Sequence, residues 1–369
     1  MKRRNAGFTL VEMLIVIAIF GFVLAGTSQM FVSTLTTHRQ QSRIAETNIE
    51  GIIGLELLRQ DLGKAGYGLP WNELIAYAEA VGDPYTLNDE ATELPPRGIV
   101  GANDVTGGPA LAGTDYVAIK ATNIATNAAC SKWTFLSPGA TATTTSWTPE
   151  TENLDPTDWV IVLSPGTITS PTTARKLRTF GGQYSTQMDD VLDFADTSPD
   201  KEMRIVYGVH TNTPALSALR MPFNRADYYV MIPSSGMPRR CAGGTGNLYK
   251  SVVRQSDGRM TDMPLLDCVA DMQVIYGRDM DANGVPDNWT EDISFLDAQL
   301  IREQVIEVRV FVLAQEGQMD RTYVHPLNPI QVGDMGLGRE FNFDTNSIEN
   351  WQNYRWKVYT LVVKLENLL

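Results

Sequence analysis

GFTLVEMLIVIAIFGFVLAG, from Gly7 to Gly26, is the stretch that decides the architecture. Nearly every residue in it suits hydrocarbon, yet Glu12 sits inside the run. A carboxylate at bilayer depth costs roughly 2.5–3.5 kcal/mol even on lenient insertion scales, so such residues are rare and usually functional. No charged residue follows from Met13 to Thr37, a reach of about 37 Å as a helix. Lys2, Arg3 and Arg4 stand in front, which predicts a cytoplasmic N-terminus with the remainder across the membrane. An ordinary secretory signal would instead end at a small-residue cleavage site, and Ala25-Gly26-Thr27 is only a weak approximation to one.

The rod does not stop at the membrane. The chain holds 19 prolines, the first at Pro70. Ile44, Ile49, Ile52, Ile53 and Leu55 fall on one side of a 3.6-residue period, with Arg43, Glu46 and Glu50 on the other. The stripe drifts to Leu55, Leu58, Leu62 and Ala65 before Gly63, Gly66, Gly68 and Pro70 supply a stop. One helix from about Phe8 to Gly63 is predicted, on the order of 80 Å long, half in lipid and half laid on a domain. Gly51 and Gly54 are read as tolerated glycines where helix and domain meet.

The net charge of −13 and pI of about 4.8 exclude a broad basic face for nucleic acid. Cys130, Cys241 and Cys268 contain no CxxC, and with His38, His210 and His325 they outline no zinc site. An odd cysteine count fits one disulfide plus a free thiol in an exported protein, or three thiols in the cytosol.

A basic leader ending in Gly7, then Phe8, Thr9-Leu10-Val11-Glu12 and an apolar run, resembles the type IV pilin signal. The resemblance implies cleavage between Gly7 and Phe8 by a prepilin peptidase and methylation of Phe8. It also implies that Glu12 meets the freed amine of a neighbouring subunit. A buried lone carboxylate is expensive and a paired one much less so, which makes Glu12 an assembly residue. LELLRQDLGKAGYG (residues 55–68), CAGGTGNLYKSVV, PLLDCVADMQVIYGRDMDANGVPD, VIEVRVFVLA and the terminal WKVYTLVVKLENL resemble minor pilins of the PilW type.

The expected organisation is a leader at 1–7, a membrane and filament-core helix at 8–37, its amphipathic continuation at 38–66, and an extracytoplasmic β-rich domain at 67–369. The fold class is α+β and pilin-like, with the long helix packed on an antiparallel sheet and long loops between strands. Strand patterns occur at 116–120, 159–163, 204–207, 228–232, 305–313 and 354–365. The longest loop is predicted over 121–157. Cys241 and Cys268 flank the NLYKSVV strand. A bridge there would contribute roughly 3–4 kcal/mol in the chain-entropy model, the alternative being two buried thiols.

Asp279, Asp281, Asn283, Val285 (through its carbonyl) and Asp287 match the first part of a calcium loop. The twelfth position is Thr290 where a bidentate Glu is required, so an acidic hairpin turn is the competing reading. No nucleophile elbow, zincin or phosphate-loop pattern occurs, and no catalytic residue is assigned.

The function expected from the resemblance is a non-enzymatic minor pilin of a type IV pilus, acting at initiation or at the tip. Its partners would be a prepilin peptidase, other minor and major pilins, a tip adhesin and the inner membrane. No cofactor beyond calcium is expected, and no nucleic acid. A minor pseudopilin of a type II secretion system shares signal and fold. The reading from another class is a membrane-tethered periplasmic enzyme or ligand-binding protein.

Overall fold

A computed structural model describes residues 9–72, 76–89, 94–165, 175–197 and 202–368. Helix α1 (Leu10–Gly63) runs unbroken for 54 residues. Thr9 caps it, and a reversal of chain at Lys64 and the left-handed Gly66 and Gly68 end it. From Leu10 to Arg39 its residues are exposed, and this half is long and apolar enough to cross a membrane.

The helix meets the domain along a narrower line than the sequence stripe suggests. Leu55, Leu58 and Leu62 are buried, whereas Ile49, Ile52 and Ile53 are about 60% exposed (61%, 60% and 61%). The reason is the pair of glycines. A Cβ on Gly54 would lie 2.2 Å from the carbonyl oxygen of Leu265, and one on Gly51 would lie 3.3 Å from Leu266 Cδ1. The backbone of α1 therefore rests directly on the sheet at Gly54, and the isoleucines are turned outward. The expectation of merely tolerated glycines is corrected here.

The strands are β1 (Ile99–Ala102), β2 (Tyr116–Ala121), β3 (Trp133–Leu136), β4 (Trp159–Ser164) and β5 (Lys176–Leu177). There follow β6 (Ser185–Gln187), β7 (Arg204–His210), β8 (Asn224–Met231), β9 (Gly246–Val253) and β10 (Met260–Arg278). The last are β11 (Asn288–Thr290), β12 (Val305–Glu316), β13 (Ile330–Val332), β14 (Arg339–Phe341) and β15 (Arg355–Lys364), with a short helix α2 (Ala298–Gln304) ahead of β12. An eight-stranded antiparallel sheet has the order β1-β2-β8-β9-β10-β12-β15, with β11 attached to β10.

Its spine is β10, 19 residues long, paired with β9 over its first half and with β12 over its second. Register shifts between Pro264 and Val269 separate the two halves, and Cys268 there adopts φ 58°. Such bulges bend a strand and let it serve two neighbours. Both faces of the sheet are covered. Toward α1, Leu58 and Leu62 pack with Val269, Met272, Val310 and Val363. On the other face, Ile275, Phe311 and Leu313 meet Phe341, Phe343 and Trp351 from the chain before β15, and Trp356 at its start.

The predicted 121–157 loop is not structureless. It holds a 3-10 turn (Ala128–Ser131), β3 and a second 3-10 turn (Glu150–Glu152). Strand β3 is the edge of a separate sheet ordered β3-β7-β4-β5, with β6 on β4. Only two of its strands had strong apolar patterns in sequence; β3 reads WTFL between polar runs and was hidden by them. Strand β3 is built by Trp133 and Phe135 in edge contact, 5.1 Å between ring centroids.

Candidate assembly site and helix–domain junction

At the head of the rod, Glu12 folds back on its own helix. Its Oε2 accepts hydrogen bonds from Thr9 N and Thr9 Oγ1, both at 2.9 Å, while Glu12 N–H donates to Thr9 Oγ1 at 3.3 Å. This is a reciprocal capping box, which satisfies helix amides that have no partner within the helix. The signal was in the sequence, since T-x-x-E ahead of an apolar run is the pattern of such a box. Thr9 is therefore a site residue that the sequence reading missed. Gly7 and Phe8 lie outside the described residues.

Where α1 reaches the domain, a charged junction holds it. Asp61, 1% exposed, accepts from Lys250 Nζ and from Tyr228 Oη at Oδ2, and from Lys64 Nζ at 3.1 Å. Lys250 Nζ also donates to the carbonyl of Ile124 at 3.0 Å. Lys250 is itself 3% exposed, so its charge has no recourse to water. Asn367 Nδ2 donates to Gly63 O at 2.6 Å, tying the chain end to the helix end. Further along, Gln318 accepts from Arg43 at the first turn of contact. Asp61 was legible as an acid inside the LLRQDLG stripe, but its partner, 189 residues away, was not.

A second buried network pins the 76–89 segment to the sheet. Lys120 donates to Glu79 Oε1 at 2.8 Å and to Asp89 Oδ2 at 2.6 Å. Arg225 donates to Glu79 Oε2 at 2.9 Å and grips Asp227 with two bonds of 2.7 and 2.8 Å. Lys120, Arg225, Glu79 and Asp227 are all 0% exposed. Each cation is matched by at least one carboxylate, the arrangement that makes buried charge tolerable. A cavity of about 290 Å³ touches only its rim, at Asn88, Asp89 and Arg97, and the four fully buried charges lie behind it, so it reads as a structural clamp.

Cys241 and Cys268 are joined, closing the segment that contains β9. Cys130 is free but buried, its Sγ near the carbonyls of Ala125 and Asn127, and burial pushes its thiol up to about 11. It does not lie open in a polar loop.

In the 279–287 turn, ligand oxygens of Asp279, Asp281 and Asp287 lie within 4.8 Å of one another. The loop's own amides already donate to them: Asn283 N and Gly284 N to Asp279 at 3.1 and 2.6 Å, and Met280 N to Asp287 at 3.1 Å. A carboxylate oxygen has two acceptor positions, so a cation and an amide can share it. Asn283 turns its amide group to Asp281 at 3.0 Å, and Glu291 instead accepts from Gly338 N. Three carboxylates thus fit a hard cation, and the twelfth-position ligand is missing as the sequence implied.

His38 is exposed and His210 half-buried. His325, 8% exposed, packs against Phe343 and Trp351, and burial depresses its pKa.

Two family models match the chain. Residues 2–28 match the prokaryotic N-terminal methylation motif, and residues 227–367 match type IV pilus-assembly protein W. The second match covers β9, β10, β12 and β15, the strands that carry α1. No curated protein and no solved structure matches.

Proposed function

We propose that this chain, a type IV pilin-family protein with a prepilin signal and a PilW-type domain, is a minor pilin acting in pilus initiation or at the tip. The leader is removed after Gly7, Phe8 becomes the methylated N-terminus, and the apolar half of α1 waits in the inner membrane. On assembly the rods bundle, and Glu12 exchanges its contact with Thr9 for the amine of an adjacent subunit. The single observation that carries this reading is the unbroken 54-residue rod with the carboxylate of Glu12 in the first turn of its exposed apolar half. A plain membrane anchor gains nothing from that carboxylate; a subunit packed among cationic neighbours does.

The domain rides on the outer half, held by Asp61–Lys250 and by the close approach at Gly54. Its surfaces are then available to other minor pilins and a tip adhesin. No chemistry of bond making is assigned to the chain.

Mass spectrometry of the native protein tests the premise: the N-terminus should be a methylated Phe8. Deleting the gene should then abolish pili, whereas loss of secretion with normal pili would assign the chain to a type II secretion pseudopilus. An intact Met1, or a metabolic defect with normal filaments and secretion, would overturn the reading altogether.

A further inference from the structure

Strand β15 ends the eight-stranded sheet and pairs with β12 over ten residues without a register break. Just beyond it, Leu365 N–H donates to Ile306 O at 2.9 Å. In an antiparallel ladder that bond fixes the parity. Lys357, Tyr359, Leu361 and Val363 turn their peptide groups toward β12. Trp356, Val358, Thr360, Val362 and Lys364 turn both N–H and C=O away from the sheet. No backbone partner meets those five outward edges among the described residues.

Long exposed edges invite further strands, and folded proteins blunt them with charge, proline, bulges or a covering element. Here only the ends are blunted, by Lys357 and Lys364. The centre, VYTLVV from Val358 to Val363, has no charge, no proline and no bulge, and Val362 is 52% exposed. The opposite edge of the sheet, β1, is only four residues long.

We propose that the β15 edge accepts an extended strand from a neighbouring pilin subunit. Peptide groups repeating at every second residue are matched by another extended backbone, and by no globular surface. The direction also fits. Tyr359 packs on the core around Leu55 and Leu58, with its Oη 3.7 Å from where a Cβ on Gly51 would lie, and Val363 and Lys364 line a cavity of about 470 Å³ with Arg59, Gly63 and Lys64, so β15 runs alongside α1. Subunits held by parallel rods present their strands along this same axis. The donor strand is apolar at its centre. It is acidic where it passes Lys364, which makes no ion pair among the described residues; of the other charges around that cavity, Arg59 and Lys64 are paired with Glu56 and Asp61, and Glu366 lies on its rim. The identity of the donor as a pilin rests on the function proposed above; the open edge does not.

Thr360→Pro tests this, because it removes an outward N–H and leaves the bonds to β12 in place. In the native cells the full-length variant should be processed and keep its thermal midpoint within a few degrees, yet give at least tenfold fewer pili; Thr360→Val should assemble as wild type. Wild-type pilus numbers with Thr360→Pro would overturn the edge proposal and leave the minor-pilin reading standing. Should that variant misfold, amide hydrogen exchange on the unaltered protein decides. The amides of Val358, Thr360 and Val362 should exchange quickly in the detergent-solubilised chain and at least 100-fold more slowly in sheared filaments. Equal rates in both states would overturn the proposal. If deletion of the gene leaves pili intact, the donor assignment fails with the function on which it rests.

Discussion

Lys250 lies under the helix, 3% exposed, with its ammonium group on Asp61, which is 1% exposed and belongs to the last full turn of α1. Strand β9 thereby grips the rod at a point where neither charge can reach water. Removing one partner of such a pair leaves the other stranded, which costs about 3–5 kcal/mol. Asp61→Ala should destabilise the full-length protein in detergent by that amount in urea unfolding. Replacing both, as Asp61→Leu with Lys250→Met, should recover part of the loss, since an apolar pair of similar volume is often neutral, while Tyr228 Oη and the Ile124 carbonyl lose their partners. A double variant as unstable as Asp61→Ala would show that the junction depends on something other than the charge pair.

Gly54 sets how close the rod can come. A methyl there meets the Leu265 carbonyl at 2.2 Å, a backbone atom that cannot swing aside as a side chain would. Gly54→Ala should therefore lever α1 off β10 and cost about 1–3 kcal/mol by overpacking, outweighing the roughly 1 kcal/mol gained in helix propensity. Gly21→Ala and Gly26→Ala meet nothing within 4 Å and should leave the unfolding midpoint of the domain unchanged. Thermal unfolding of the three variants, side by side, measures the difference.

How much of this was readable beforehand follows from range. The rod was legible because its signal is local: apolar period, absence of proline, and a glycine-proline stop. The strands β2, β4, β7, β8, β12 and β15 were legible for the same reason, as apolar runs of strand length. Periodicity gave the sheet-facing side of α1 at Leu55, Leu58 and Leu62, and failed in the turns just before them. Ile49, Ile52 and Ile53 satisfied the pattern better than Gly51 and Gly54 did, yet close backbone approach selected the glycines. Lys120, Arg225 and Lys250 also sit inside strands as apparent interruptions. Their partners Glu79, Asp89 and Asp61 lie far off in sequence, and only the fold brings them together.

Glu12 and Thr9 form a cap that any stable helix would welcome, so capping and assembly must be separated. Glu12→Gln keeps the side-chain acceptor of the box and removes the charge. It should insert, be cleaved after Gly7 and fold normally, but fail to enter filaments. Thr9→Ala loses about 1 kcal/mol of capping and keeps the charge, so assembly should survive it. Immunoblots of sheared filaments against whole membranes read both. Normal incorporation of Glu12→Gln would confine Glu12 to the capping role.

Asp115 is 2% exposed, with Asp104 and Asp271 as charged neighbours. Burial first, and those two acids in addition, push it up to about 8, although Asp104 N and Val274 N donate to it at 2.9 and 2.7 Å. Burial likewise raises Asp271 to about 6 against the bidentate pull of Arg339. Between the unfolded carboxylate range near pH 4 and these values, the folded state holds protons that the unfolded chain has released. Stability from these groups is therefore full below about pH 4 and falls as pH rises toward 8, by at most about 1.4 kcal/mol per pH unit for each proton. Asp320, held down at about 2 by Thr322 and Arg355, acts only below that window. The unfolding midpoint should drop from pH 6 to pH 8, and Asp115→Asn should flatten that limb. A midpoint rising over the same interval would contradict the assignment.

The 279–287 turn gives the last test. Three carboxylates whose oxygens lie within 4.8 Å repel one another, and a divalent cation would relieve that repulsion. The missing bidentate ligand at Thr290 and the engagement of Glu291 with Gly338 N leave fewer charged oxygens than a high-affinity loop has. Binding is accordingly expected in the weak extracellular class, with dissociation constants of about 10⁻⁴–10⁻³ M. Calorimetry on the full-length protein should show heat with millimolar calcium, and Asp281→Asn combined with Asp287→Asn should abolish it. Asp279 is left intact in that variant because it anchors Asn283 and Gly284, so the turn itself survives. If the unaltered protein gives no heat with calcium at millimolar concentration, the loop is a turn held by its own amides, and the acids serve only to shape it.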